Sequence, residues 1–399
     1  MRLIINSYLY RVISGEARSP AAGILRGILR GGEFFYSSAV RARNFLYDRR
    51  FLKSHQLPVP VISVGNITAG GTGKTPMVRY LAIGLAQRGM HPAVLMRGYH
   101  RSASGISDEQ ALLTEQLSEL RIPVHANPDR VAGGREILQI HPQTDVILLD
   151  DGFQHRRLFR DYNIILIDAT NPFGFGHVHP RGLLREPLSR LFALGVFTSI
   201  VLTRCEQITE QEQEAIQTQL ANLSPSSWQF RTRFIHTGFR CTSTASQPPD
   251  INLDSAKGRP IFLFAGIANP NPLAEAIKNA GADVRGHWWL PDHHDYTPKD
   301  LAELRRRASS SGANTIITTD KDWIKIRSLP GASDGPIPIW RLDLQISFDQ
   351  TEESSESLLW NVLATGLRGR LHRPQENRPP QPHNAGEDQN RHNHPNPAP

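Results

Sequence analysis

The sequence of 399 residues predicts an α/β protein with a doubly wound parallel sheet, a second, smaller α/β domain and an N-terminal amphipathic helix. Strand-length runs rich in β-branched residues alternate with helical periodicity between residues 57 and 170. The same alternation returns between residues 260 and 345. The predicted organisation is a basic helical segment at 1–56, a core at 57–255, a smaller domain at 256–370 and a disordered tail at 371–399.

The N-terminal segment accounts for the whole net charge of the chain, which is +7. Residues 1–53 contain ten Lys/Arg and three Asp/Glu, so the remaining residues sum to zero. A basic arm on a neutral body suits an anionic membrane surface or a nucleic acid. The segment favours helix, with a break expected at Gly31 and Gly32. Two roles stay open, an interfacial membrane anchor or an apolar stripe packed on the body. The residues expected on that stripe are Ile24, Ile28, Phe35, Ala39, Ala42 and Leu46.

Cysteine content and hydropathy exclude several protein classes. Cys205 and Cys241 lie far apart and offer neither a disulfide framework nor a Cys-x-x-Cys metal site, so a reducing compartment is the default. The chain has no run of about 18 uncharged apolar residues, so no membrane-spanning helix is predicted. Arg11 and Glu16 interrupt the short apolar run near the N-terminus, which argues against a signal peptide.

A glycine-rich turn joins a predicted strand at residues 59–64 to a predicted helix that Gly89 is placed to end. Glycines let successive backbone N–H groups face one anion, and the helix N-terminus adds partial positive charge. In such a loop Lys74 reaches the β- and γ-phosphates of a nucleotide, and the Thr75 hydroxyl ligates Mg²⁺. The usual motif has a glycine where this chain has Thr68, and the alternative is a plain turn with Lys74 on the surface. The predicted phosphate-binding loop, or P-loop, comprises Thr68, Ala69, Gly70, Gly71, Thr72, Gly73, Lys74 and Thr75.

Two carboxylates directly follow another predicted strand. Asp150 and Asp151 come after the apolar run at 146–149, and ligands of doubly wound sheets bind at the carboxyl ends of strands. One Asp at a strand end is commonly a cap, but two adjacent carboxylates are costly unless a cation neutralises them. The pair therefore favours a magnesium site. The loop at 171–190, which carries Glu186, is glycine-rich and basic, and by itself it indicates only a solvated loop.

The second domain is predicted to contain strands at 261–265, 283–286, 315–318 and 339–342, whereas residues 196–255 predict one strand, a helix and polar loops. His293 and His294 lie between two of these strands, flanked by Asp292 and Asp295. Their composition suggests zinc, but adjacent histidines on one element suit tetrahedral ligation poorly. A proton-relay histidine paired with a carboxylate is the better interpretation. Residues 318–322 follow a strand end and are expected to line the same cleft.

Several segments occur in the order found in one known family, and the chain resembles the tetraacyldisaccharide 4'-kinases, the lipid A 4'-kinases. The most specific piece is Leu-Asp-Asp-Gly-Phe-Gln-His at residues 149–155. In this family the P-loop lacks the first glycine of the usual motif, which accounts for Thr68. The resemblance covers roughly residues 40–345, and its other matching segments lie at 44–48, 57–66, 70–76, 97–99, 107–109, 184–188, 291–293 and 318–322.

The resemblance implies ATP-dependent phosphorylation of the 4'-hydroxyl of a tetraacyldisaccharide 1-phosphate, a lipid A precursor. It also implies a peripheral position at the cytoplasmic face of the inner membrane, contacted through the N-terminal helix. Asp108 is implied to be the base, tuned by His293, while Lys74 and Thr75 hold phosphate and Mg²⁺. The residues implied to shape the metal site are Asp150, Asp151 and Glu186.

Two other classes of ATPase fit parts of the pattern. Membrane-associated partition and positioning ATPases have a similar loop, but their signature lysine precedes the first glycine, where this chain has Ala69. They also leave the basic arm and residues 149–155 unexplained. A nucleic-acid-binding ATPase would use the arm, but it predicts aromatic and basic residues interleaved along a groove. Such interleaving occurs here only in residues 34–51, so no nucleic-acid partner is expected.

Overall fold

A computed structural model describes residues 2–98, 106–193, 197–241, 251–267, 269–292, 294–349 and 355–371. His293 and nearly all of the predicted tail, from residue 372 onward, lie outside the described residues. The helices are α1 (Arg2–Ser14), α2 (Pro20–Asp48), α3 (Lys74–Gln87), α4 (Asp108–Leu117), α5 (Arg130–Ile140), α6 (Glu210–Leu223), α7 (Asn271–Asn279), α8 (Pro298–Ser310), α9 (Asp320–Ile326) and α10 (Ser355–Leu371). The strands are β1 (Val61–Asn66), β2 (Pro92–Met96), β3 (Val124–Ala126), β4 (Val146–Asp150), β5 (Tyr162–Asp168), β6 (Thr198–Thr203), β7 (Trp228–Cys241), β8 (Ile251–Asn252), β9 (Pro260–Ala265), β10 (Asp283–Trp289), β11 (Thr315–Thr319) and β12 (Ile339–Phe348).

The described strands form one sheet in the order β10-β9-β11-β12-β7-β6-β5-β1-β4-β2-β3, with β8 beside β7. Strand β7 joins the two halves because it runs parallel to β6 and antiparallel to β12. The expectation of polar loops across this region is therefore wrong. The first residues of β7 alternate Trp228, Phe230 and Phe234 with polar side chains, which is a strand pattern that its arginines obscure.

The first half of the sheet has helices on both faces, as a doubly wound fold requires. Strands β1, β4, β5, β2 and β3 pair in parallel, and β6 and β7 continue the same direction. Ile62 packs in a core with Leu81 of α3 and Trp360 of α10. On the opposite face, Val61 packs with Ile137 of α5. The predicted doubly wound α/β fold is confirmed, and its strands are buried on both faces as in parallel sheets generally.

The second half repeats the arrangement with four parallel strands, β10, β9, β11 and β12. Leu273 and Ile277 of α7 cover one face, and Leu304 of α8 with Trp323 of α9 covers the other. The carboxyl ends of β1, β4, β9 and β11 therefore present their following loops toward the junction of the two halves. The boundary at residue 256 between two domains remains a prediction.

Helix α2 runs without interruption through Gly31 and Gly32, so the expected break there is wrong. An interior glycine costs a helix only about 1 kcal/mol relative to alanine, which tertiary contacts readily offset. A Cβ at Gly32 would lie 3.0 Å from the ring of Pro180, so the small residue also permits close packing on the loop that precedes Glu186.

The two long faces of α2 differ in their surroundings. Ser37, Val40 and Asn44 are buried against the rest of the protein. The stripe expected to be apolar lies on the other side, and Phe35 is 75% exposed. None of the described helices is long and apolar enough to cross a bilayer. The helix thus packs on the body through its buried face while the predicted apolar stripe stays uncovered. The alternative that this stripe packs on the body is wrong, and the role of interfacial anchor remains a prediction.

Candidate active site

The predicted P-loop lies between β1 and α3, with α3 beginning at Lys74. Gly73 has φ 88°, and a Cβ there would lie 2.4 Å from the ring of Phe234, so both backbone conformation and space require glycine. The Gly71 carbonyl accepts a hydrogen bond from Arg204 Nη2 at 2.6 Å, and the Thr72 carbonyl accepts one from Thr203 Oγ1 at 3.0 Å. These bonds anchor the loop through its carbonyls. The first-turn N–H groups of α3, which have no intrahelical partner, remain to bind an anion.

Lys74 is held at the mouth of the loop by two neighbours. Its Nζ lies 3.4 Å from Asn66 Oδ1 and 3.6 Å from Asp151 Oδ1. Asn66 in turn donates through Nδ2 to the Thr68 carbonyl at 2.6 Å, which ties the end of β1 to the start of the loop. Thr75 follows in the first turn of α3. The ammonium group is therefore placed beside the loop rather than on the outer surface.

The two adjacent carboxylates have different electrostatic surroundings. Asp150, at the end of β4, is 6% exposed, and burial together with the charge of Glu109 raises its pKa to about 7. Burial also opposes ionisation of Asp151, but Lys74 and Arg185 outweigh it and hold the pKa of Asp151 below its usual value. Arg185 Nη1 donates to both oxygens of Asp151, at 2.8 and 3.0 Å. Cationic side chains thus neutralise the carboxylate of Asp151 but do not neutralise that of Asp150.

Asp150 has the features of a cation ligand. Its Oδ1 is buried without a hydrogen-bond partner among the described residues. An orphaned buried carboxylate oxygen is costly, and hard oxygen ligands suit Mg²⁺, which protein sites bind with few carboxylates and with substrate phosphates. No group of three or more His, Cys, Asp or Glu side chains in the described part of the chain could hold a metal by itself. The residues therefore fit a magnesium ion shared with a nucleotide, with Thr75 beside it.

Asp108 precedes Glu109, whose charge acts on Asp150. It begins α4, where Ser107 Oγ caps the helix by accepting from the Gln110 backbone N–H at 3.2 Å. Its side chain is 39% exposed, and Lys325 Nζ lies 3.4 Å from its Oδ2. The Lys325 ammonium group also donates to the His294 carbonyl at 3.4 Å, so α9 meets the segment that follows His293. The cleft is lined by Asp108, Glu109, Gly266, Asp292, Lys321 and Lys325.

Comparison with known proteins identifies the family. The family model described as tetraacyldisaccharide-1-P 4'-kinase matches residues 25–364. This chain belongs to that family. The tetraacyldisaccharide 4'-kinase of Syntrophus aciditrophicus is 38% identical over 88% of this chain and 95% of its own, and that of Pelobacter propionicus is 35% identical over 87% and 96%. A crystal structure of "apo" form LpxK from Aquifex aeolicus in complex with ATP is 28% identical, with a TM-score of 0.65, over 86% of this chain and 99% of that chain.

Membership in the tetraacyldisaccharide-1-P 4'-kinase family confirms the predicted family, the kinase activity and the P-loop α/β fold. The kinase class also separates this chain from partition ATPases and nucleic-acid-binding ATPases. The individual roles of the predicted site residues stay predictions, to be judged on their placement. The structure brings Lys74, Asp150 and Asp151 together, and it places Asp108 in a cleft with Asp292, Lys321 and Lys325.

Glu186 is placed differently from the other predicted metal ligands. It is 3% exposed, and its carboxylate faces α2, where it contacts Arg43 and Asn44. It adjoins Arg185, which reaches Asp151, so the family segment at 184–188 borders the site through its arginine. A direct role of Glu186 at the metal remains a prediction.

Sequence reasoning missed three cationic residues of the site. Arg185 lies in a matched family segment, and that match was the only signal available. No sequence signal indicated Arg204 or Lys325, because they reach Gly71 and Asp108 across 133 and 217 residues of sequence. In the segment 318–322, Asp322 supports the cleft wall by accepting from the Gly266 N–H at 3.0 Å and the Tyr296 hydroxyl at 2.6 Å, and only Lys321 lines the cleft.

Proposed function

We propose that this chain transfers the γ-phosphoryl group of ATP to the 4'-hydroxyl of a tetraacyldisaccharide 1-phosphate. The observation that carries the assignment is the placement of Lys74 and the Asp150 oxygen that is unpartnered among the described residues beside the P-loop, with Asp108 next to Glu109, whose charge acts on Asp150. Phosphoryl transfer depends mostly on positioning and on neutralising charge, and this arrangement supplies both. ATP lies along residues 68–75, with its phosphates on the loop N–H groups and on Lys74.

The acceptor hydroxyl needs a base within hydrogen-bond reach. In the proposed reaction Asp108 accepts the proton of the 4'-hydroxyl, whose oxygen forms a bond to the γ-phosphorus. The bond between that phosphorus and the bridging oxygen breaks, and ADP leaves. Lys325 Nζ lies 3.4 Å from Oδ2 of Asp108 and so orients the carboxylate toward its task. His293 is proposed to tune this base.

Magnesium, held by Thr75, Asp150, Asp151 and Glu186 together with phosphate oxygens, would neutralise charge on the transferred phosphoryl group. The chain's own contribution is the electrostatic surroundings of these ligands. Arg185 and Lys74 keep Asp151 ionised. Asp150 contributes an oxygen with no competing donor in the described part of the chain.

We further propose that the protein binds as a peripheral protein at the cytoplasmic face of the inner membrane. The exposed apolar face of α2 and the basic N-terminal arm support this location. Amphipathic helices with cationic flanks bind anionic interfaces through buried apolar area and electrostatic attraction. An acceptor with four acyl chains would then reach the cleft from the lipid surface.

The decisive experiment measures ADP release by purified protein with ATP and Mg²⁺, with and without the disaccharide 1-phosphate in detergent. The product is analysed by mass spectrometry and ³¹P NMR. We expect ADP release to require the acceptor and the new phosphate to lie on the 4'-oxygen. ADP release that ignores the acceptor would contradict the proposal and favour a nucleotide-dependent switch.

A further inference from the structure

The buried face of α2 is bonded to both segments that meet at the phosphate site. On one side, Tyr36 donates its hydroxyl hydrogen to the Arg185 carbonyl at 3.2 Å. On the other, Arg156 donates through Nη1 to the Asn44 carbonyl at 2.9 Å and through Nη2 to Asp48 at 2.6 Å. Arg185 supplies the guanidinium that binds Asp151, and Asp151 lies in the same segment as Arg156. Helix α2 is therefore part of the frame of the site.

The centre of this frame is a buried carboxylate held at both oxygens. Arg43 Nη2 lies 2.9 Å from Glu186 Oε1, and Asn44 Nδ2 donates to Oε2 at 3.2 Å. Arg43 Nη2 also donates to Asn44 Oδ1 at 3.3 Å, which fixes the two side chains relative to each other. A carboxylate that is 3% exposed needs such partners, because an unpaired buried charge is strongly unfavourable.

The position of Glu186 determines the position of its neighbour Arg185. The Arg185 backbone N–H donates to the Ile67 carbonyl at 2.7 Å, just beyond β1, and its carbonyl accepts from α2. Its guanidinium then reaches Asp151, whose carboxylate lies 3.6 Å from Lys74 Nζ. A short chain of contacts therefore runs from α2 through residues 185–186 to the P-loop lysine.

We propose that Arg43 and Asn44 are positioning residues for phosphoryl transfer, acting through Glu186 and Arg185 on the carboxylates beside the P-loop. This inference deepens the proposed function and rests on it. Helix α2 then has a second role besides docking on a lipid surface. Its apolar face lies outward, while Arg43 and Asn44 lie inward. Partners one shell removed from a metal site typically contribute 10–100-fold in affinity or activity.

The test compares Arg43→Met, Asn44→Leu and Arg43→Lys with Arg135→Gln, a change at an exposed arginine of α5. Two quantities are measured, the Mg²⁺ concentration that half-saturates binding of a fluorescent ATP analogue and kcat on a short-chain acceptor in detergent. We expect Arg43→Met and Asn44→Leu to raise that Mg²⁺ concentration and to lower kcat about 10–100-fold. Arg43→Lys should recover part of the loss, and Arg135→Gln should change neither quantity.

Unchanged Mg²⁺ dependence in both Arg43→Met and Asn44→Leu would overturn the inference. So would losses that Arg135→Gln reproduces, or losses explained entirely by a smaller folded fraction in thermal denaturation. Nucleotide binding is measured without acceptor, which separates the two proposals. Wild-type protein that binds the analogue with Mg²⁺ but never phosphorylates the acceptor would refute the proposed function, while the binding comparison would still decide the role of Arg43 and Asn44.

Discussion

Lys325 Nζ lies 3.4 Å from Asp108 Oδ2, and this ion pair joins helix α9 of the second half of the sheet to helix α4 of the first. Additional contacts of α4 with the second half involve Glu115, which pairs with Arg327 just after α9 and with Arg341 of β12, and Gln116, which donates to Asp320 at 2.9 Å. The candidate base is thus placed by contacts from both halves.

Replacing Asp108 with Ala should lower kcat with little change in the KM for ATP, because loss of a general base typically costs about 10²–10⁴-fold. Lys325→Met is the companion variant. We expect a smaller loss of kcat, because this change removes the group that orients Asp108 but leaves the base itself. Steady-state kinetics over ATP and acceptor concentration distinguish the two. A collapse of ATP affinity with the rate preserved at saturation would instead place Asp108 in the nucleotide site.

Replacing Lys74 with Ala should abolish turnover and preserve the fold, because Lys74 contacts Asn66 and Asp151 at the loop rather than the core. Circular dichroism and thermal denaturation verify folding, and ADP release reports activity. Lys257→Ala removes an exposed lysine elsewhere and serves as the control. Full activity of the Lys74 variant would refute the P-loop assignment.

His293→Ala should reduce kcat far more than His294→Ala, and it should remove one limb of the pH–rate profile near neutrality. The His294 ring packs edge-on against Tyr296, and its Nε2 lies 3.5 Å from Asp300 Oδ2. Activity of both variants across pH 5–9 provides the comparison. Equal effects would show that the assignment of the acting histidine is misplaced.

Exposed arginines near the apolar face of α2 should strengthen binding to anionic vesicles by about 1 kcal/mol each. Changing Arg41, Arg49 and Arg50 to Gln should weaken vesicle co-sedimentation, more at low salt than at high salt, since exposed charges are screened within about 8–10 Å. Arg43 is left intact because it binds Glu186. Activity on a short-chain acceptor should persist. The matched control neutralises three exposed cations distant in sequence, Arg135, Lys257 and Lys278.

Equal sedimentation of the arginine variant and wild type would show that α2 does not bind anionic lipid through these charges. Equal loss of activity on the short-chain and vesicle-borne acceptors would show that these arginines shape the active site instead.

The buried pair of Arg79 and Asp343 gives a prediction about stability. Arg79 Nη1 lies 3.2 Å from Asp343 Oδ1, and both residues are buried. Burial opposes ionisation of Asp343, but Arg79 together with Gln345, Arg240 and Thr237 outweighs it and holds the pKa of Asp343 below its usual value. Arg79→Met leaves a buried carboxylate without this partner, which should cost about 3 kcal/mol in the free energy of unfolding.

The pH dependence of that cost has a defined sign. A depressed folded-state pKa stabilises the protein above the unfolded pKa of about 3.9, and this stabilisation is lost as pH falls through the folded pKa. The difference in Tm between wild type and Arg79→Met should therefore be largest near neutral pH and shrink below about pH 4. Arg306→Met, which breaks an exposed pair with Glu303, should shift Tm little at any pH. A difference in Tm that is independent of pH would contradict the role of the ion pair.

Contiguous patterns allowed most of the fold and part of the site to be predicted. The P-loop is a local structure, in which one strand, a few glycines and one helix N-terminus suffice to face backbone N–H groups toward an anion. Asp150 and Asp151 were found for a similar reason, since they directly follow a buried strand at the end where ligands bind. Strand β7 was missed because its alternating apolar residues are interrupted by arginines that the fold pairs with acids such as Asp349.

The sequence by itself determined the doubly wound sheet, the P-loop, the paired carboxylates and the amphipathic character of the N-terminal arm, because each depends on residues close together in the chain. Only the tertiary structure decided that Lys325 meets Asp108, that Arg185 neutralises Asp151 and that Glu186 faces Arg43 and Asn44. These contacts join segments 34 to 217 residues apart. No local periodicity encodes them, since they follow from which strand ends and helix faces the packed sheet brings together.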